Sequence, residues 1–344
     1  MKLFIYSDIH ISRTSSILPL SSNSKYTYRQ QMIIDTAKYM VDIINKEQPN
    51  FIINLGDTFD QHTLTSYDIE TARQFFNEFS KTNKPHFVLI GNHEMINNDF
   101  NAVSMLDIVK DITIIQEPVS IPFNDCKLAF LPYCSHEEIT EFPEGDYLFS
   151  HQDIQGSLIR GNFALPDGIE QQILKEKYKL VFNGHIHKSS IVNNVVNVGS
   201  ATTHGFSDDN DNIPQCYIFD TQTLDLKTYK INTCPLFRRF IVENNILELQ
   251  NFINSLDKNY KYILHCICPF EIKDEVKDYL KNNELIVNSR LNININKQHN
   301  KEDEHIDNIN LQPNVDMKQT FTEFIDTIDL KFPKELYIKT IKEL

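Results

Sequence analysis

The feature of this sequence that most limits its possible folds is an alternation of short apolar runs with amphipathic helical segments near the N-terminus. Lys2 to Ser7, Phe51 to Leu55 and Phe87 to Ile90 have the length and composition of buried strands. Between them, Tyr28 to Glu47 and Ile69 to Phe79 carry apolar residues at helical spacing. This alternation predicts βαβ units, which means a largely parallel sheet with helices on its faces.

A second series of strand-like segments follows, with little helical pattern between its members. These segments are Leu128 to Leu131, Tyr147 to Phe149, Leu180 to Phe182, Ile191 to Val198, Cys216 to Phe219 and Leu226 to Ile231. Strand after strand in this region predicts a second sheet that packs on the first. We therefore expect an α/β main domain built around two sheets.

The pattern changes between Thr233 and Arg239, where a smaller unit begins. Helix-like and strand-like segments alternate from there to Leu291, which predicts a small α+β cap. The next segment is dominated by Asn, Lys, Glu, Asp and His, a composition typical of a solvated linker. After it, one apolar stripe at helical spacing comprises Met317, Phe321, Phe324, Ile325 and Ile328. The sequence thus predicts a main domain at residues 1–235, a cap at 236–291, a linker at 292–315 and a helical tail at 316–344.

Charge and composition limit the classes of function. The 344 residues include 47 acidic and 33 basic side chains, a formal net charge of −14, which is the wrong sign for gripping nucleic acid by the surface field alone. No run of about eighteen residues lacks charged or strongly polar side chains, so no membrane span is expected. Asp8 interrupts the stretch that a secretion signal would need. Six cysteines without a C-x-x-C pair predict reduced thiols, and we expect a cytoplasmic protein, in the host cytoplasm if the source is viral.

Side chains that bind metal ions follow five of the predicted strands. They are Asp8 and His10, Asp57, Asn92 and His93, His151, and His185 and His187. Because ligands gather at the carboxyl ends of parallel strands, these distant residues are expected to converge. Imidazoles, carboxylates and an amide oxygen suit Mn, Fe, Zn or Ni, and the absence of thiolates argues against a structural zinc site. The set is too large for one ion and fits two ions that share a carboxylate, an arrangement that activates a hydroxide for attack on a phosphoryl group.

Glycine usage indicates the same positions. Only nine glycines occur, and Gly56, Gly91 and Gly184 each directly precede a candidate ligand, so the backbone there is expected to bend sharply or to approach another group closely. Any single histidine is more often a core or surface residue than a ligand. The other seven histidines are therefore expected to be structural or solvated: His62, His86, His136, His204, His265, His299 and His305. No phosphate-binding loop, dinucleotide-binding fingerprint or nucleophile elbow is found.

These motifs together resemble the signature of the calcineurin-like metallophosphoesterases. The residues that carry the resemblance are Asp8-Ile9-His10, Gly56-Asp57-Thr58-Phe59-Asp60, Gly91-Asn92-His93-Glu94, His151 and Gly184-His185-Ile186-His187. Within that superfamily the chain is similar to the nuclease subunit of the SbcCD type and to its phage recombination-endonuclease relatives. Val198-Gly199-Ser200 and the pair Arg238-Arg239 support this closer similarity. The resemblance implies a four-layer αββα sandwich with a small α+β cap and a C-terminal helical tail.

The resemblance also implies roles for individual residues. Two divalent ions are expected per chain, with manganese as the expected metal and Mg, Fe or Zn as alternatives. One ion would be held by Asp8, His10, Asp57 and His187. The other would be held by Asp57, Asn92, His151 and His185, with Asp57 as the bridge. His93 would act as the general acid or stabilise the leaving oxygen, and Asp60 would orient the imidazole of His93; the alternative for Asp60 is a structural turn or capping residue.

Two residues bear on which branch of the superfamily the chain resembles. The family usually has Asp at the position of Glu94. Glutamate at this position is found in many protein phosphatases and nucleotide hydrolases. Gln61 follows Asp60, where protein phosphatases place an arginine. The first departure weakens the resemblance to the nucleases, and the second argues against a protein phosphatase.

The resemblance implies a metal-dependent DNA nuclease that is a subunit of an SbcCD-like ATPase–nuclease complex in DNA recombination, repair or replication. DNA and an SMC-like ATPase of the SbcC type are the expected partners, and the family implies a homodimer. Residues 316–344 would bind the coiled-coil base of the ATPase, although their apolar stripe could instead pack on the chain's own cap. Two alternatives are a phosphoesterase for nucleotides or small phosphodiesters and a non-catalytic scaffold of the same fold. The sequence leaves open whether a nuclease would be an exonuclease or an endonuclease.

Overall fold

The structure is a computed structural model that describes residues 1–13, 25–95, 101–103, 112–123, 125–135, 139, 141–160, 163–206 and 212–294. The linker and tail predicted at residues 292–344 lie outside this part of the chain, except for the first three residues. Within it the helices are α1 (Tyr28–Glu47), α2 (Ser66–Ser80), α3 (Gln171–Lys177), α4 (Ile246–Ser255) and α5 (Lys273–Lys281). The strands are β1 (Lys2–Tyr6), β2 (Phe51–Asn54), β3 (His86–Leu89), β4 (Ile112–Ile115), β5 (Val119–Pro122), β6 (Lys127–Leu131), β7 (Tyr147–Ser150), β8 (Leu158–Arg160), β9 (Phe163–Ala164), β10 (Leu180–Asn183), β11 (Ser190–Val192), β12 (Val195–Asn197), β13 (Gln215–Asp220), β14 (Leu226–Lys230), β15 (Leu236–Ile241), β16 (Tyr262–Pro269) and β17 (Ile286–Asn294).

Two six-stranded sheets form the centre of the molecule. The first has the order β14-β13-β1-β2-β3-β4, and the second has the order β11-β12-β10-β7-β6-β5. Strands β1 to β4 are parallel to one another, as are β6, β7, β10 and β12. The carboxyl ends of these parallel strands therefore lie at one edge of each sheet.

Hydrophobic side chains arrange the sheets and helices into four layers. Alternate residues of the strands, such as Ile5 of β1 and Phe149 of β7, form a buried cluster between the two sheets. Helices α1 and α2 cover the outer face of the first sheet, where Phe4 contacts the core that they build. Leu174 of α3 belongs to a third cluster on the outer face of the second sheet. This layering confirms the predicted αββα sandwich.

Side-chain caps define where the two long helices begin. Helix α1 has a capping box, in which Thr27 Oγ1 accepts a hydrogen bond from Gln30 N at 3.2 Å and Gln30 Oε1 accepts one from Thr27 N at 3.0 Å. Thr65 and Asp68 form the same arrangement before α2. Each box satisfies two backbone N–H groups that a helix N-terminus would otherwise leave without partners. Helix α1 spans Tyr28–Glu47, as its apolar spacing predicts.

A third, three-stranded sheet contains the C-terminal strands of the described chain. Its order is β15-β16-β17, all parallel, and α4 and α5 pack on one of its faces through a cluster that includes Leu249, Leu264 and Val276. Met1–Ile295 groups as one compact unit, so the predicted boundary between residues 235 and 236 remains a prediction. No helix within the described ranges is both long enough and apolar enough to cross a bilayer.

The structure differs from the sequence prediction in several places. Strands β13 and β14 were expected in the second sheet but lie in the first, because β13 pairs antiparallel with β1. The short strands β4, β5, β8 and β9 were not predicted. The apolar run Ile191 to Val198 is a hairpin of β11 and β12 and not one strand, because Asn193 adopts a left-handed conformation with φ of 56° and turns the chain. Helix α3 was not predicted, since it is short and buries only Leu174. Strand β15 was also missed, because Arg238 and Arg239 interrupt the apolar pattern.

Candidate metal centre

The predicted ligands lie in loops at the carboxyl ends of five parallel strands. Asp8 and His10 follow β1, Asp57 follows β2, and Asn92 and His93 follow β3 in the first sheet. His151 follows β7, and His185 and His187 follow β10 in the second sheet. The structure brings all eight residues together at the edge where the two sheets meet, as the distances below establish.

One group of side chains surrounds the end of β1. His10 Nε2 lies 3.1 Å from His187 Nε2. Asp8 Oδ1 lies 3.8 Å from His10 Nε2 and 3.7 Å from His187 Nε2. Three donor atoms from three different side chains thus lie within 3.8 Å of one another, a spacing that suits ligands around one ion.

A second group lies beside the first and contains the remaining predicted ligands. His151 Nε2 is 3.1 Å from Asn92 Oδ1, and His185 Nδ1 is 2.9 Å from the same oxygen. The other ring nitrogen of His151 lies 2.9 Å from the Leu55 carbonyl oxygen, which holds the ring in place. A donor to that carbonyl fixes the tautomer that leaves Nε2 available to a metal ion.

Asp57 lies between the two groups. Its Oδ2 atom is 3.5 Å from His10 Nε2 in one group and 3.3 Å from His151 Nε2 in the other. Its Oδ1 atom accepts a hydrogen bond from the His93 backbone N–H at 3.1 Å. A carboxylate in this position can contact two ions at once, as the proposed bridging role requires.

The environment of Asp8 tests whether these residues fit divalent cations. Asp8 is fully buried, and neither of its carboxylate oxygens accepts a hydrogen bond within the described part of the chain. A buried, unsatisfied carboxylate is strongly unfavourable in a folded protein. A cation coordinated by Asp8, His10 and His187 would satisfy these oxygens, and grouped His and Asp donor atoms are close enough to hold such an ion. The donor set therefore fits two divalent metals, whose identity the structure does not specify.

The backbone is strained at the same residues. Eight non-glycine residues of the described chain have positive φ, and four of them are candidate ligands: Asp8 (54°), His10 (49°), Asp57 (49°) and His185 (68°). Left-handed backbone is uncommon for residues with a Cβ atom, and such strain concentrates at functional sites. The chain therefore adopts unfavourable turns where they aim these side chains into the centre.

Two of the candidate ligands are preceded by a glycine whose backbone lies too close to a neighbouring side chain to carry a Cβ atom. A Cβ atom on Gly91 would lie 2.2 Å from Asp57 Oδ1, and one on Gly184 would lie 2.4 Å from Ser7 Oγ. Neither position has room for a side chain. Glycine here allows the loops of the two sheets to meet around the centre.

Glu94, which departs from the usual family pattern, has a structural position. Its side chain is fully buried, and its two carboxylate oxygens accept hydrogen bonds from Phe59 N at 2.8 Å and Gly91 N at 2.7 Å. Burial and the charge of Asp57 raise the pKa of Glu94 to about 8. Glu94 thus ties the loop that carries Asp57 to the turn that carries Asn92.

The structure assigns a different contact to the Asp60 carboxylate from the one that the sequence predicts. His93 Nδ1 lies 2.7 Å from the backbone carbonyl oxygen of Asp60, to which it donates, and not from the carboxylate. The Asp60 carboxylate faces His10, with Oδ1 3.4 Å from His10 Nδ1. Asp60 therefore contacts the His93 imidazole through its backbone carbonyl oxygen and His10 through its carboxylate. The catalytic roles of Asp60 and His93 remain predictions.

Two residues at the centre were not singled out from the sequence. Asp153 Oδ1 lies 3.0 Å from His185 Nε2, so that His185 directs Nδ1 towards Asn92. His204 lies against His10 and His187, with ring centroids 4.4 and 4.6 Å away, although it was expected to be structural or solvated. A carboxylate two residues beyond His151 was the available signal for Asp153. No local pattern marked His204, which reaches the site from a loop.

The charges of the centre change how its groups ionise. Burial alone would lower the pKa of His10, but Asp60, Asp8 and Asp57 outweigh it and raise this pKa to about 10. Burial likewise opposes protonation of His151, but Asp57 and Asp8 raise the pKa of His151 to about 9. Burial would raise the pKa of Asp57, yet the neighbouring imidazoles lower it well below its usual range. In the absence of metal, His10 and His151 are therefore cations at neutral pH.

Metal binding near pH 7.5 is expected to release about two protons per chain, because a ligating imidazole nitrogen must be deprotonated. The groups concerned are His10 and His151, whose pKa values of about 10 and about 9 lie above this pH. Metal affinity should accordingly increase with pH until these pKa values are passed. Isothermal titration calorimetry in buffers of different ionisation enthalpy measures the proton count. No proton release at pH 7.5 would contradict the assignment of these two ligands.

The fold and this centre together define a metal-dependent phosphoesterase. Residues 1–189 match the family model described as Metallophos, calcineurin-like phosphoesterase, which covers more than half of the chain. The chain belongs to the calcineurin-like phosphoesterase family. Members of this family use dinuclear centres of divalent metal ions, and the His and Asp groups described above are candidates for that centre.

The individual relatives share only a low sequence identity with this chain. The protein named Putative phosphoesterase 078R of Invertebrate iridescent virus 3 is 25% identical over 256 residues, which are 68% of this chain and 71% of that protein. A solved archaeal phosphodiesterase is 17% identical with a TM-score of 0.36, over 67% of this chain and 100% of the other. A dimetal phosphatase from Danio rerio is 9% identical with a TM-score of 0.41, over 67% of this chain and 95% of the other. The two solved structures carry no argument about substrate.

Proposed function

We propose that this metallophosphoesterase is a DNA nuclease that hydrolyses backbone phosphodiester bonds at the centre formed by Asp8, His10, Asp57, Asn92, His151, His185 and His187. The ions would supply charge neutralisation and activation of water when bound. His93, at the open side of the centre, would hold or donate a proton at the leaving oxygen. The observation that favours a polymeric substrate lies outside the centre, on the three-stranded sheet.

A row of basic side chains crosses that sheet. Arg239 of β15 pairs with His265 of β16, and His265 pairs with Arg290 of β17, so the three residues share one face. Both arginines are exposed. Burial and the nearby charges of Arg239 and Arg290 lower the pKa of His265, which reflects how close the three groups are. In a chain with a net charge of −14, this local concentration of positive charge favours a phosphate backbone as its ligand.

The basic row continues towards the metal centre through Phe206. The Phe206 ring lies 5.4 Å from the His265 ring, and Arg239 Nη2 donates to the Phe206 carbonyl oxygen at 3.0 Å. Two residues earlier in the chain, His204 contacts His187 of the centre. A strand whose scissile phosphate is at the ions could therefore place neighbouring phosphates near Arg239 and Arg290. A small phosphodiester would have no use for these contacts.

Helices α4 and α5 leave one end of this face uncovered, whereas Phe237 and Ile263 on the same face are buried in the core that α1 and α2 build. Helices α4 and α5 pack against the opposite face, where Leu264 and Cys266 are buried. On the basic face, Ile241 is 55% exposed at the end of β15. The two exposed arginines at the ends of the row, Arg239 and Arg290, are therefore accessible to an extended polyanion.

The double variant Arg239→Gln/Arg290→Gln tests this proposal. We expect the variant to bind linear DNA more weakly and therefore to cleave it less efficiently in the presence of manganese. The slope of the logarithm of DNA affinity against the logarithm of salt concentration should become less steep by about two, one for each lost phosphate contact. Hydrolysis of bis-p-nitrophenyl phosphate should remain unchanged, because that substrate is too small to reach the row. Steady-state kinetics on both substrates between 50 and 200 mM salt provide the measurement.

The matched control is Lys175→Gln/Lys177→Gln, which removes the same charge from α3 on the outer face of the second sheet. If both double variants affect DNA cleavage equally, the basic row has no specific role. Hydrolysis of the small ester without any DNA cleavage, even in the presence of a co-expressed ATPase, would favour a nucleotide or small-phosphodiester phosphoesterase instead.

The proposed partners rest on the sequence resemblance. An SMC-like ATPase bound through residues 316–344 and a homodimer are parts of the proposal, and the segment concerned lies outside the described residues. Deletion of residues 316–344 should abolish binding of the ATPase and leave metal-dependent phosphodiesterase activity intact. Loss of both properties would indicate that the segment packs on its own chain.

A further inference from the structure

We propose that His204 is an additional ligand of the ion held by Asp8, His10 and His187, and that this makes the two metal sites chemically unequal. The inference rests on the binuclear centre and does not depend on whether the substrate is DNA. It concerns a residue that lies beyond the five strand-end motifs. Three separate features of the structure support it.

The first feature is the position of the imidazole. Donor atoms of His10, His187 and His204 all lie within 4.8 Å of one another. The ring of His204 is 4.4 Å from that of His10 and 4.6 Å from that of His187, measured between centroids. Ligands at the usual metal–nitrogen distance of about 2.0–2.1 Å are separated by no more than about 4.2 Å from each other. A small side-chain rotation is sufficient to bring His204 into that range.

The second feature is the attachment of the His204 loop to the Asp8–His10 loop. Thr202 Oγ1 donates to the Ile9 carbonyl oxygen at 2.8 Å. Arg29, which is only 3% exposed, donates to the carbonyl oxygens of His10 at 2.9 Å and Thr203 at 2.7 Å. Buried hydrogen bonds to backbone groups on both sides fix the distance between the loops. His204 is thus held beside His10 by the same network that supports the strained backbone of His10.

The third feature is the hydrogen bonding of the His204 ring. The ring bonds to the Asp8 backbone, to whose carbonyl oxygen a ring N–H donates. A donor N–H on one nitrogen places the lone pair on the other, which is the tautomer found in metal-binding histidines. The Arg29 Nη2 atom lies 3.5 Å from His204 Nδ1. His204 can therefore bind a cation without breaking its contact with Asp8.

With His204 included, the two sites differ in their donors. The site at β1 would have the imidazoles of His10, His187 and His204 with the carboxylates of Asp8 and Asp57. The second site would have two imidazoles, those of His151 and His185, with the Asn92 amide and Asp57. Imidazole-rich sites favour Zn²⁺ and Fe²⁺, whereas oxygen-rich sites suit Mg²⁺ and Mn²⁺. The β1 site should therefore retain Zn²⁺ or Fe²⁺ more strongly than its neighbour does.

The test measures metal binding in the full chain by chelator competition with Zn²⁺. His204→Ala should still bind two ions at saturation, but one site should weaken by at least about 10–100-fold, the range observed when even an outer-shell partner of a ligand is lost. The visible absorption of the Co²⁺-loaded protein should change for that site alone. His86→Gln is the matched control, because His86 is a buried histidine that contacts Tyr6 and no ligand of the centre. Unchanged affinities and an unchanged Co²⁺ spectrum in His204→Ala would overturn the proposal.

A second measurement uses the unmodified chain and avoids any effect of substitution on folding. Co²⁺ shifts the NMR signals of the N–H protons on coordinated imidazoles, so these signals count the ligating histidines directly. Five shifted N–H signals are expected if His204 joins His10, His187, His151 and His185, and four would exclude His204. Failure of the chain to bind two ions at all would instead overturn the binuclear centre, and DNA cleavage plays no part in either readout.

Discussion

Replacement of Asp57 is expected to abolish tight binding of both ions, and with it phosphodiester hydrolysis. Asp57 Oδ2 lies within 3.5 Å of ligands on both sides of the centre, so its removal takes one anionic ligand from each ion. The surrounding imidazoles of His10, His151 and His93 would also lose the negative charge that compensates them. We expect fewer than two ions per chain by elemental analysis after dialysis, and turnover reduced to the background of the uncatalysed reaction.

The choice of variant matters because Asp57 has a positive φ of 49°. Asparagine tolerates this conformation better than alanine, and its amide oxygen can still accept the His93 backbone N–H. Asp57→Asn therefore tests the charge with little change in backbone strain, and Asp57→Ala tests the whole side chain. Asp167→Asn, in an exposed loop, controls for loss of one acidic residue. Two ions per chain in Asp57→Ala at wild-type affinity would refute the bridging role.

The sequence was informative about this site because the ligands follow strands directly. Apolar runs that end at Asp8, Asp57 and His185 mark both the strand and the residue that its end presents. The geometry of a parallel sheet then brings those ends together, whatever the length of chain between them. Fold class and the set of candidate ligands could therefore be predicted from period and position, whereas the four-layer order was implied by the family resemblance. Period did not reveal that β13 and β14 join the first sheet.

Contacts made by side-chain direction could not be predicted in this way. Whether Asp60 faces His93 or His10 depends on its rotamer, and the structure places its carboxylate 3.4 Å from His10 Nδ1. His204 reaches the centre because Arg29 and Thr202 join two loops that are distant in sequence. Such contacts leave no periodic pattern, since they depend on how loops fold over a finished sheet.

Two of the acidic residues of the chain have a local explanation at the centre. Asp8 and Asp57 are almost fully buried, and such carboxylates are tolerated where cations neutralise them. The burial of these two carboxylates therefore indicates that bound metal ions supply the positive charge that neutralises them in the folded chain. The bulk charge of −14 describes the metal-free chain and understates how positive the reacting region becomes when loaded.

Replacement of His93 with alanine is expected to leave both ions bound while turnover falls by about 10²–10⁴-fold, the usual contribution of a positioned acid or base. Metal binding should survive because the contact between His93 and the bridging ligand is made by its backbone N–H, which alanine retains. The imidazole itself is 39% exposed, with Nε2 4.0 Å from Asp57 Oδ2. The Asp60 carbonyl holds Nδ1 and so directs Nε2 to the open side, where a substrate would approach.

The leaving group separates general-acid catalysis from other roles of His93. A leaving nitrophenolate needs little protonation, whereas a leaving nucleoside alkoxide needs a proton as the bond to phosphorus breaks. If His93 donates that proton, His93→Ala should lose much more activity on DNA or on an alkyl phosphodiester than on bis-p-nitrophenyl phosphate. His62→Ala removes an exposed histidine near the same loop and should affect neither substrate. Equal losses on good and poor leaving groups would assign His93 to charge stabilisation, and undiminished turnover with both would remove it from the mechanism.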